Sequence, residues 1–185
     1  MQYMTLAELN PNSRMEIASL TKIMTCLLIL KIAERFKIDL KQAYTKVGHK
    51  AASLQGTTAK LSYADYVCVG DLLYGMMLPS GNDAAQTLAE WGGKTIRFFC
   101  NKQTIKSSPR KTKLIRKGDL FKRTSIGLFI YHMNILAKAL SMKNSRFANA
   151  HGLINKKNYS CSSDVTKLCV YAMQRLDFRG IVSRK

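Results

Sequence analysis

Ser19 and Lys22 stand three residues apart at the start of an apolar stretch that continues through Leu27 to Leu30. On a helix, this spacing places both side chains on one face, close enough to touch. The positive end of the helix dipole and the neighbouring apolar surface both favour the neutral form of the lysine amine. Because a neutral amine can take a proton from a hydroxyl, the pair predicts a nucleophilic serine with a lysine as its general base.

The same residues also fit a simpler interpretation. Serine is a favoured residue at the start of a helix, where its hydroxyl accepts a hydrogen bond from the backbone. Ser19 is then a helix cap, and Lys22 lies over the surface of an amphipathic helix. Short motifs of this kind match by accident, so the spacing alone leaves both interpretations open.

A second polar group, Ser80-Gly81-Asn82, follows an apolar segment that Pro79 ends. The Ser80 hydroxyl could relay a proton, and the Asn82 amide could both donate and accept hydrogen bonds to a peptide-like ligand. The alternative is an ordinary turn between helices, which serine, glycine and asparagine all suit.

The elements that must position these residues follow from apolar periodicity and from turn residues. Helices are expected from about Ser19 to Arg35, over Asp71–Leu78, over Ala84–Trp91 with Gly92-Gly93 as its end, over about Ile126–Ser141, and after a possible cap at 162–164. Extended segments are expected at Gln42–Val47 and Gly56–Ser62.

Length and composition are those of a single globular domain. The chain has 185 residues, of which 46% are hydrophobic, so it can bury a core. Its five cysteines form no C-x-x-C pair, which argues against a zinc site or a disulfide framework. The first residues lack a basic start and an apolar core, so we expect no secretory signal, and no apolar run is long enough to predict a transmembrane segment.

The net charge of +19 is concentrated in one region. Eleven basic residues and one acidic residue lie between Lys94 and Arg123, which is about half of the excess. The apolar residues of this segment show no regular spacing, and we expect an inserted loop or arm whose charges are solvated. The alternative is a basic module that binds nucleic acid or an anionic surface, although no nucleic-acid-binding motif is recognisable.

Taken together, the motifs resemble a known family. S-x-x-K followed by S-x-N is typical of penicillin-binding proteins and class A β-lactamases. The segments ASLTKIMT (18–25), DLLYGMMLPSGNDAA (71–85), MKNSRFANAHGL (142–153) and YSCSSDVTKL (159–168) resemble, in order, those of the S11 serine peptidases, the D-alanyl-D-alanine carboxypeptidases. The resemblance covers roughly residues 15–93 and 127–170.

The resemblance implies an α/β (α+β) fold of the β-lactamase/transpeptidase type, with a helical subdomain and part of an antiparallel sheet. It implies Ser19 as the acylated nucleophile, Lys22 as its general base, Ser80 as a proton shuttle and Asn82 as a ligand for the substrate amide. The Ser19 N–H would supply half of an oxyanion hole.

The reaction implied is transfer of a peptide acyl group to serine and then to water, with release of a terminal D-alanine. The partners implied are peptides ending in D-Ala-D-Ala, and β-lactams as covalent mimics of them. The resemblance implies neither a metal nor an organic cofactor, and we expect no specific nucleic acid. Members of the family work outside the cytoplasmic membrane, whereas we expect no export signal in this sequence, and its localisation stays open.

The chain departs from the family pattern in its third motif, K-T-G. Lys94-Thr95 is followed by Ile96, and Lys111-Thr112 by Lys113. Residues 1–17 also leave little room for the two strands that precede the nucleophile in the family. We therefore expect a single partial domain over residues 1–185, truncated before K-T-G, with a basic insert at about 94–124. A catalytically inactive fragment, or a pseudoenzyme that binds such peptides, remains the alternative to an enzyme.

Overall fold

The apolar stretch after Ser19 forms the central helix of the molecule, α1 (Thr21–Phe36). Met24, Cys26, Leu27 and Ile29 are fully buried on it, so neighbouring helices cover most of its circumference. The computed structural model describes residues 4–106 and 123–184. The predicted helix is confirmed, but Ser19 itself lies in a preceding 3-10 helix, Ala18–Leu20.

The remaining elements surround α1. The further helices are α2 (His49–Ala52), α3 (Val69–Met77), α4 (Asn82–Lys106), α5 (Ser125–Ala139), α6 (Ser162–Met173) and α7 (Leu176–Val182). The strands are β1 (Met15–Glu16), β2 (Tyr44–Lys46), β3 (Tyr66–Cys68) and β4 (Tyr159–Ser160). In the described part of the chain they form two antiparallel pairs, β1 with β4 and β2 with β3.

The β1–β4 pair is short, yet it positions the site. Met15 lies opposite Ser160 and Glu16 opposite Tyr159. This pairing joins the segment just before Ser19 to the segment that follows residues 147–153. Residues more than 140 positions apart in the sequence are thereby brought together beside the start of α1.

The helix that begins after Ser80 is longer than the sequence predicts. Gly92 and Gly93 do not end α4, because they lie where α5 crosses it. A Cβ on Gly92 would overlap the Phe129 ring, and one on Gly93 would overlap the Ser125 carbonyl. Their lack of a side chain therefore permits close helix packing here, and the prediction of a helix end was wrong.

The expected loop at 94–124 is also wrong over its first part, since α4 continues to Lys106. Ile96 is buried, and Phe99 stacks on Phe36 of α1 with the ring centroids 4.2 Å apart. Apolar contacts spaced at one helical turn thus extend the helix despite the many bases. Residues 107–122 of the predicted insert lie outside the described residues.

The prediction of an extended segment at Gly56–Ser62 was wrong as a strand, since these residues form a loop. Lys60 has a positive φ of 59°, which is incompatible with a regular strand. β2 instead pairs with β3, a strand that the sequence did not indicate. No helix of the described residues is long and apolar enough to cross a membrane.

Candidate active site

Lys22 is the centre of a polar cluster at the start of α1. Its side chain is buried, with 2% of the residue exposed. The amine nitrogen lies 3.0 Å from Ser19 Oγ, 2.9 Å from Asn82 Oδ1 and 2.7 Å from the carbonyl oxygen of His151. The structure therefore brings together residues from three separate parts of the chain around one amine.

The three partners of Lys22 differ in what they can do. A backbone carbonyl and an amide oxygen only accept hydrogen bonds, whereas a serine hydroxyl both donates and accepts. A neutral amine keeps two N–H donors and gains one lone pair. If the donors stay with His151 and Asn82, the lone pair is directed at the Ser19 hydroxyl. This geometry suits removal of a proton from Ser19.

The electrostatic environment favours that neutral amine. Burial lowers the pKa of Lys22 to about 8, and the opposing effect of the Asp83 charge is smaller. Burial, assisted by the Lys22 charge, lowers the pKa of His151 to about 4, so the imidazole is neutral near pH 7. The desolvation predicted from the apolar sequence around Lys22 is thus present in the fold.

Ser19 lies exposed above this buried amine, and Ser80 approaches it from the other side. The Ser80 hydroxyl donates a hydrogen bond of 2.9 Å to Ser19 Oγ. Ser80 has a positive φ of 60°, and Ala18, next to Ser19, has one of 42°. Such conformations cost about 1–3 kcal/mol each in non-glycine residues and concentrate at functional sites. The expectation that Ser19 caps the helix was wrong, since no side-chain cap is formed there.

The segment 147–153 forms one wall of the cluster and supplies the His151 carbonyl. Gly152, with a φ of +89°, packs so closely that a Cβ would overlap the Ala18 carbonyl. The Thr25 hydroxyl donates to the Ala150 carbonyl at 2.7 Å. His151 belongs to the segment MKNSRFANAHGL that carries part of the family resemblance, and its backbone carbonyl, not its ring, contacts Lys22.

The opposite wall is formed by the loop 55–61. The Asn82 side-chain nitrogen donates to the Gln55 carbonyl at 2.9 Å, so its oxygen must face Lys22. Asp83, the next residue, accepts hydrogen bonds from the same loop, including Leu61 N at 3.0 Å. The motifs in the sequence do not indicate that Gln55 and Asp83 belong to the site. The acid directly after Ser-Gly-Asn was the signal available for Asp83.

The family assignment rests on most of the chain. The family model for D-alanyl-D-alanine carboxypeptidase, peptidase S11, matches residues 4–102 and 124–181. The chain belongs to the D-alanyl-D-alanine carboxypeptidase family. The resemblance stated from the motifs is confirmed, and the match leaves out residues 103–123, within the basic segment.

Curated members of the carboxypeptidase family match at low but significant identity. The chain is 30% identical to the D-alanyl-D-alanine carboxypeptidase DacF of Bacillus subtilis over 172 residues, which are 93% of this chain and 36% of the relative. It is 30% identical to the D-alanyl-D-alanine carboxypeptidase of a Streptomyces species over 177 residues, 94% of this chain and 52% of the relative.

Solved structures of carboxypeptidase-family proteins share the fold. The D-alanyl-D-alanine carboxypeptidase DacD of Francisella tularensis superposes with a TM-score of 0.75 at 26% identity, covering 97% of this chain and 36% of the other. A Streptomyces DD-transpeptidase gives a TM-score of 0.73 at 29% identity, covering 97% and 60%. The predicted fold class is thereby confirmed. The chain spans between about a third and three fifths of the length of these relatives.

Proposed function

We propose that this chain carries the acylation site of a serine D,D-carboxypeptidase, with Ser19 as the nucleophile. The observation that carries the proposal is the contact of one exposed hydroxyl with two groups that can move protons. Ser19 Oγ lies 3.0 Å from the Lys22 amine and 2.9 Å from the Ser80 hydroxyl. A nucleophile within hydrogen-bonding distance of an oriented base is typical of acyl-transfer enzymes.

In the first step, Ser19 Oγ attacks the carbonyl between the last two residues of a peptide ending in D-Ala-D-Ala. The hydroxyl proton passes to the neutral Lys22 amine, and the carbonyl becomes an oxyanion, for which the Ser19 N–H is one proposed donor. When the C–N bond breaks, the proton held by Lys22 passes by way of Ser80 to the leaving D-alanine amine, which returns Lys22 to its neutral form. A water molecule then hydrolyses the acyl-serine, with Lys22 again as the base.

We assign to the Asn82 side chain the binding of the substrate backbone, through one of the two hydrogens of its NH2 group. Its oxygen accepts from Lys22, and one hydrogen of its NH2 group is donated to the Gln55 carbonyl. The second hydrogen of that group is the one we assign to a carbonyl of the substrate. In this role Asn82 links the substrate to the base, since it contacts both.

β-Lactams present a strained amide to the same serine, so a fluorescent penicillin tests the proposal. We expect covalent labelling of the wild-type chain, no labelling of Ser19→Ala, and wild-type labelling of Ser53→Ala, a control at an exposed serine outside the site. Release of D-alanine from a synthetic peptide ending in D-Ala-D-Ala is measured in parallel. Labelling without release favours a peptide-binding pseudoenzyme, and a wild-type chain that takes no label overturns the proposal.

A further inference from the structure

The carboxylate of Asp83 holds the loop beside the candidate site. The Thr58 hydroxyl donates to Oδ2 at 2.7 Å and Leu61 N at 3.0 Å. Ala59 N contacts both oxygens, at 2.9 and 3.1 Å, and Ala84 N lies 2.9 Å from Oδ1. Asp83 is 2% exposed. One buried carboxylate therefore fixes four donors, three of which belong to the loop.

The loop fixed by Asp83 in turn holds two residues of the cluster. The Thr57 carbonyl accepts a hydrogen bond from Asn82 N at 2.8 Å, and the Thr57 hydroxyl donates to the Ser80 carbonyl at 2.6 Å. The Gln55 carbonyl accepts from the Asn82 side chain. The chain of contacts thus runs from Asp83 through the loop to Ser80 and Asn82.

The orientation of the Asn82 amide decides where the Lys22 lone pair points. If the amide were reversed, its NH2 group would face the Lys22 amine, and both groups would be donors. The amine could then direct its lone pair at Asn82 instead of Ser19. The Gln55 carbonyl prevents this reversal because it accepts only from the NH2 end.

We propose that Asp83 is a positioning residue for Lys22. Its carboxylate clamps residues 58–61, and the loop so held keeps the Asn82 amide in the orientation that directs the Lys22 amine at Ser19. This inference rests on the proposed function for its importance to catalysis, but the clamp itself acts in the free protein.

Asp83 also acts on Lys22 through its charge. The charge of Asp83, from α4, raises the pKa of Lys22, and the charge of Lys22 lowers the pKa of His151, from the facing loop. His151 is neutral near pH 7, which leaves Asp83 as the charge that opposes the effect of burial on Lys22. Removing this charge should therefore lower the pKa of Lys22 further.

The main test compares Asp83→Asn with a matched control, Asp164→Asn, by the rate of penicillin acylation between pH 6 and pH 10. Asp164 is an equally buried aspartate that accepts hydrogen bonds from a different loop, at Asn144 and Ser145. In Asp83→Asn, an NH2 group meets backbone donors. We expect its plateau rate to fall at least about tenfold, and the midpoint of its rising limb to move to lower pH. Asp164→Asn should keep both the plateau and the midpoint, with a similar loss of thermal stability.

A milder pair of variants serves if Asp83→Asn does not fold. Thr58→Val removes one donor to Asp83, and Ser145→Ala removes one donor to Asp164, while both carboxylates remain. We expect a plateau about threefold lower for Thr58→Val, with an unchanged midpoint because the charge is kept. Ser145→Ala should acylate at the wild-type rate. Equal rates for the two variants would overturn the inference, as would an Asp83→Asn protein with a wild-type plateau.

A measurement without acylation separates this inference from the proposed function. The Lys22 amine can be titrated by NMR in protein labelled with ε-13C-lysine, the signal being identified by its absence in Lys22→Met. In Asp83→Asn we expect a lower titration midpoint and a shifted side-chain amide signal for Asn82. If the wild type does not react with penicillin, the proposed function fails, but these signals still test whether Asp83 holds the loop and orients the Asn82 amide. Unchanged signals in Asp83→Asn would refute the inference.

Discussion

Two helices of this protein, α4 and α6, have in their first turn a buried aspartate that accepts similar hydrogen bonds, but the two aspartates differ in their contact with lysine. Asp83 in the first turn of α4 and Asp164 in the first turn of α6 are 2% and 1% exposed. Each accepts hydrogen bonds from a hydroxyl and from the backbone of a neighbouring loop, through two N–H groups at Asp83 and one at Asp164. Among the described residues, only Asp164 of the two also binds a lysine, Lys167, whose amine lies 2.8 Å from Oδ1.

The difference lies in how the carboxylate oxygens are occupied. At Asp164 the hydroxyl and the backbone N–H share Oδ2, which leaves Oδ1 for the Lys167 amine. At Asp83 loop donors and Ala84 N occupy both oxygens, and no described basic side chain lies within ion-pair distance. Lys22 bonds instead to Ser19. Asp83 is thus satisfied by neutral donors, and the Lys22 amine has a hydroxyl among its partners.

The pKa of both carboxyls lies below the usual value of 3.8, for partly different reasons. Burial acts to raise the pKa of Asp83, but hydrogen bonds from Ala59, Thr58 and other neutral donors outweigh it. Burial likewise acts to raise the pKa of Asp164, and there the hydrogen bond from Lys167 is the largest opposing contribution. Both remain ionised near neutral pH, and within the described ranges only Asp164 has a cation in contact.

The largest expected effect comes from exchanging each lysine for methionine, which keeps the length of the side chain. Lys22→Met should lower the rate of penicillin acylation by about two to four orders of magnitude, because it removes the proposed general base. Lys167→Met should leave the rate within about twofold. Stopped-flow or gel-based labelling measures both. Similar losses in the two variants would show that the two lysines do not differ as the comparison requires.

A smaller effect is expected from pH. Since the pKa of Lys22 is lowered to about 8, its amine is mostly protonated at pH 7 and mostly neutral at pH 9. The acylation rate of the wild type should therefore rise about tenfold between these values, and Lys167→Met should show the same rise. A rate independent of pH from 6 to 10 would rule out Lys22 as the titrating base.

The smallest difference is expected in acid stability, where the two aspartates should behave alike. Because each folded-state pKa lies below 3.8, each carboxylate adds stability that is present above that value and is lost as the pH falls through the folded pKa. Asp83→Asn and Asp164→Asn should each lower the free energy of unfolding at pH 7 by about 2 kcal/mol, and by less near pH 2. Urea unfolding at the two pH values measures this. If each variant is destabilised relative to the wild type by the same free energy at both pH values, the predicted contribution of these two pKa values to stability is wrong.

Local patterns were enough to place the main elements and the residues that cluster. The apolar run after Ser19 predicts α1, and the helix before Ser80 and the one over Ile126–Ser141 are also confirmed within two residues. The motif residues Ser19, Lys22, Ser80 and Asn82 do meet within hydrogen-bonding distance. Their catalytic roles remain proposals.

The errors fall where distant parts of the chain meet. Gly92-Gly93 predicts a helix end locally, yet the crossing of α5 turns both glycines into packing positions. The loop at Gly56–Ser62 alternates like a strand, but the buried Asp83 carboxylate binds its backbone donors in place of a neighbouring strand. In both cases the deciding partner lies more than twenty residues away, where no local pattern can indicate it.

The sequence alone determines which groups are available: a serine and a lysine three residues apart, a second serine with an asparagine after a proline, and the family that carries them. Only the tertiary structure decides that the amine at Lys22 is buried, that two acceptors hold its N–H groups, and that Asp83 is satisfied without it. The reason is physical. Residue type fixes the donors and acceptors of a side chain, whereas desolvation and hydrogen-bond orientation depend on which distant segments pack against it.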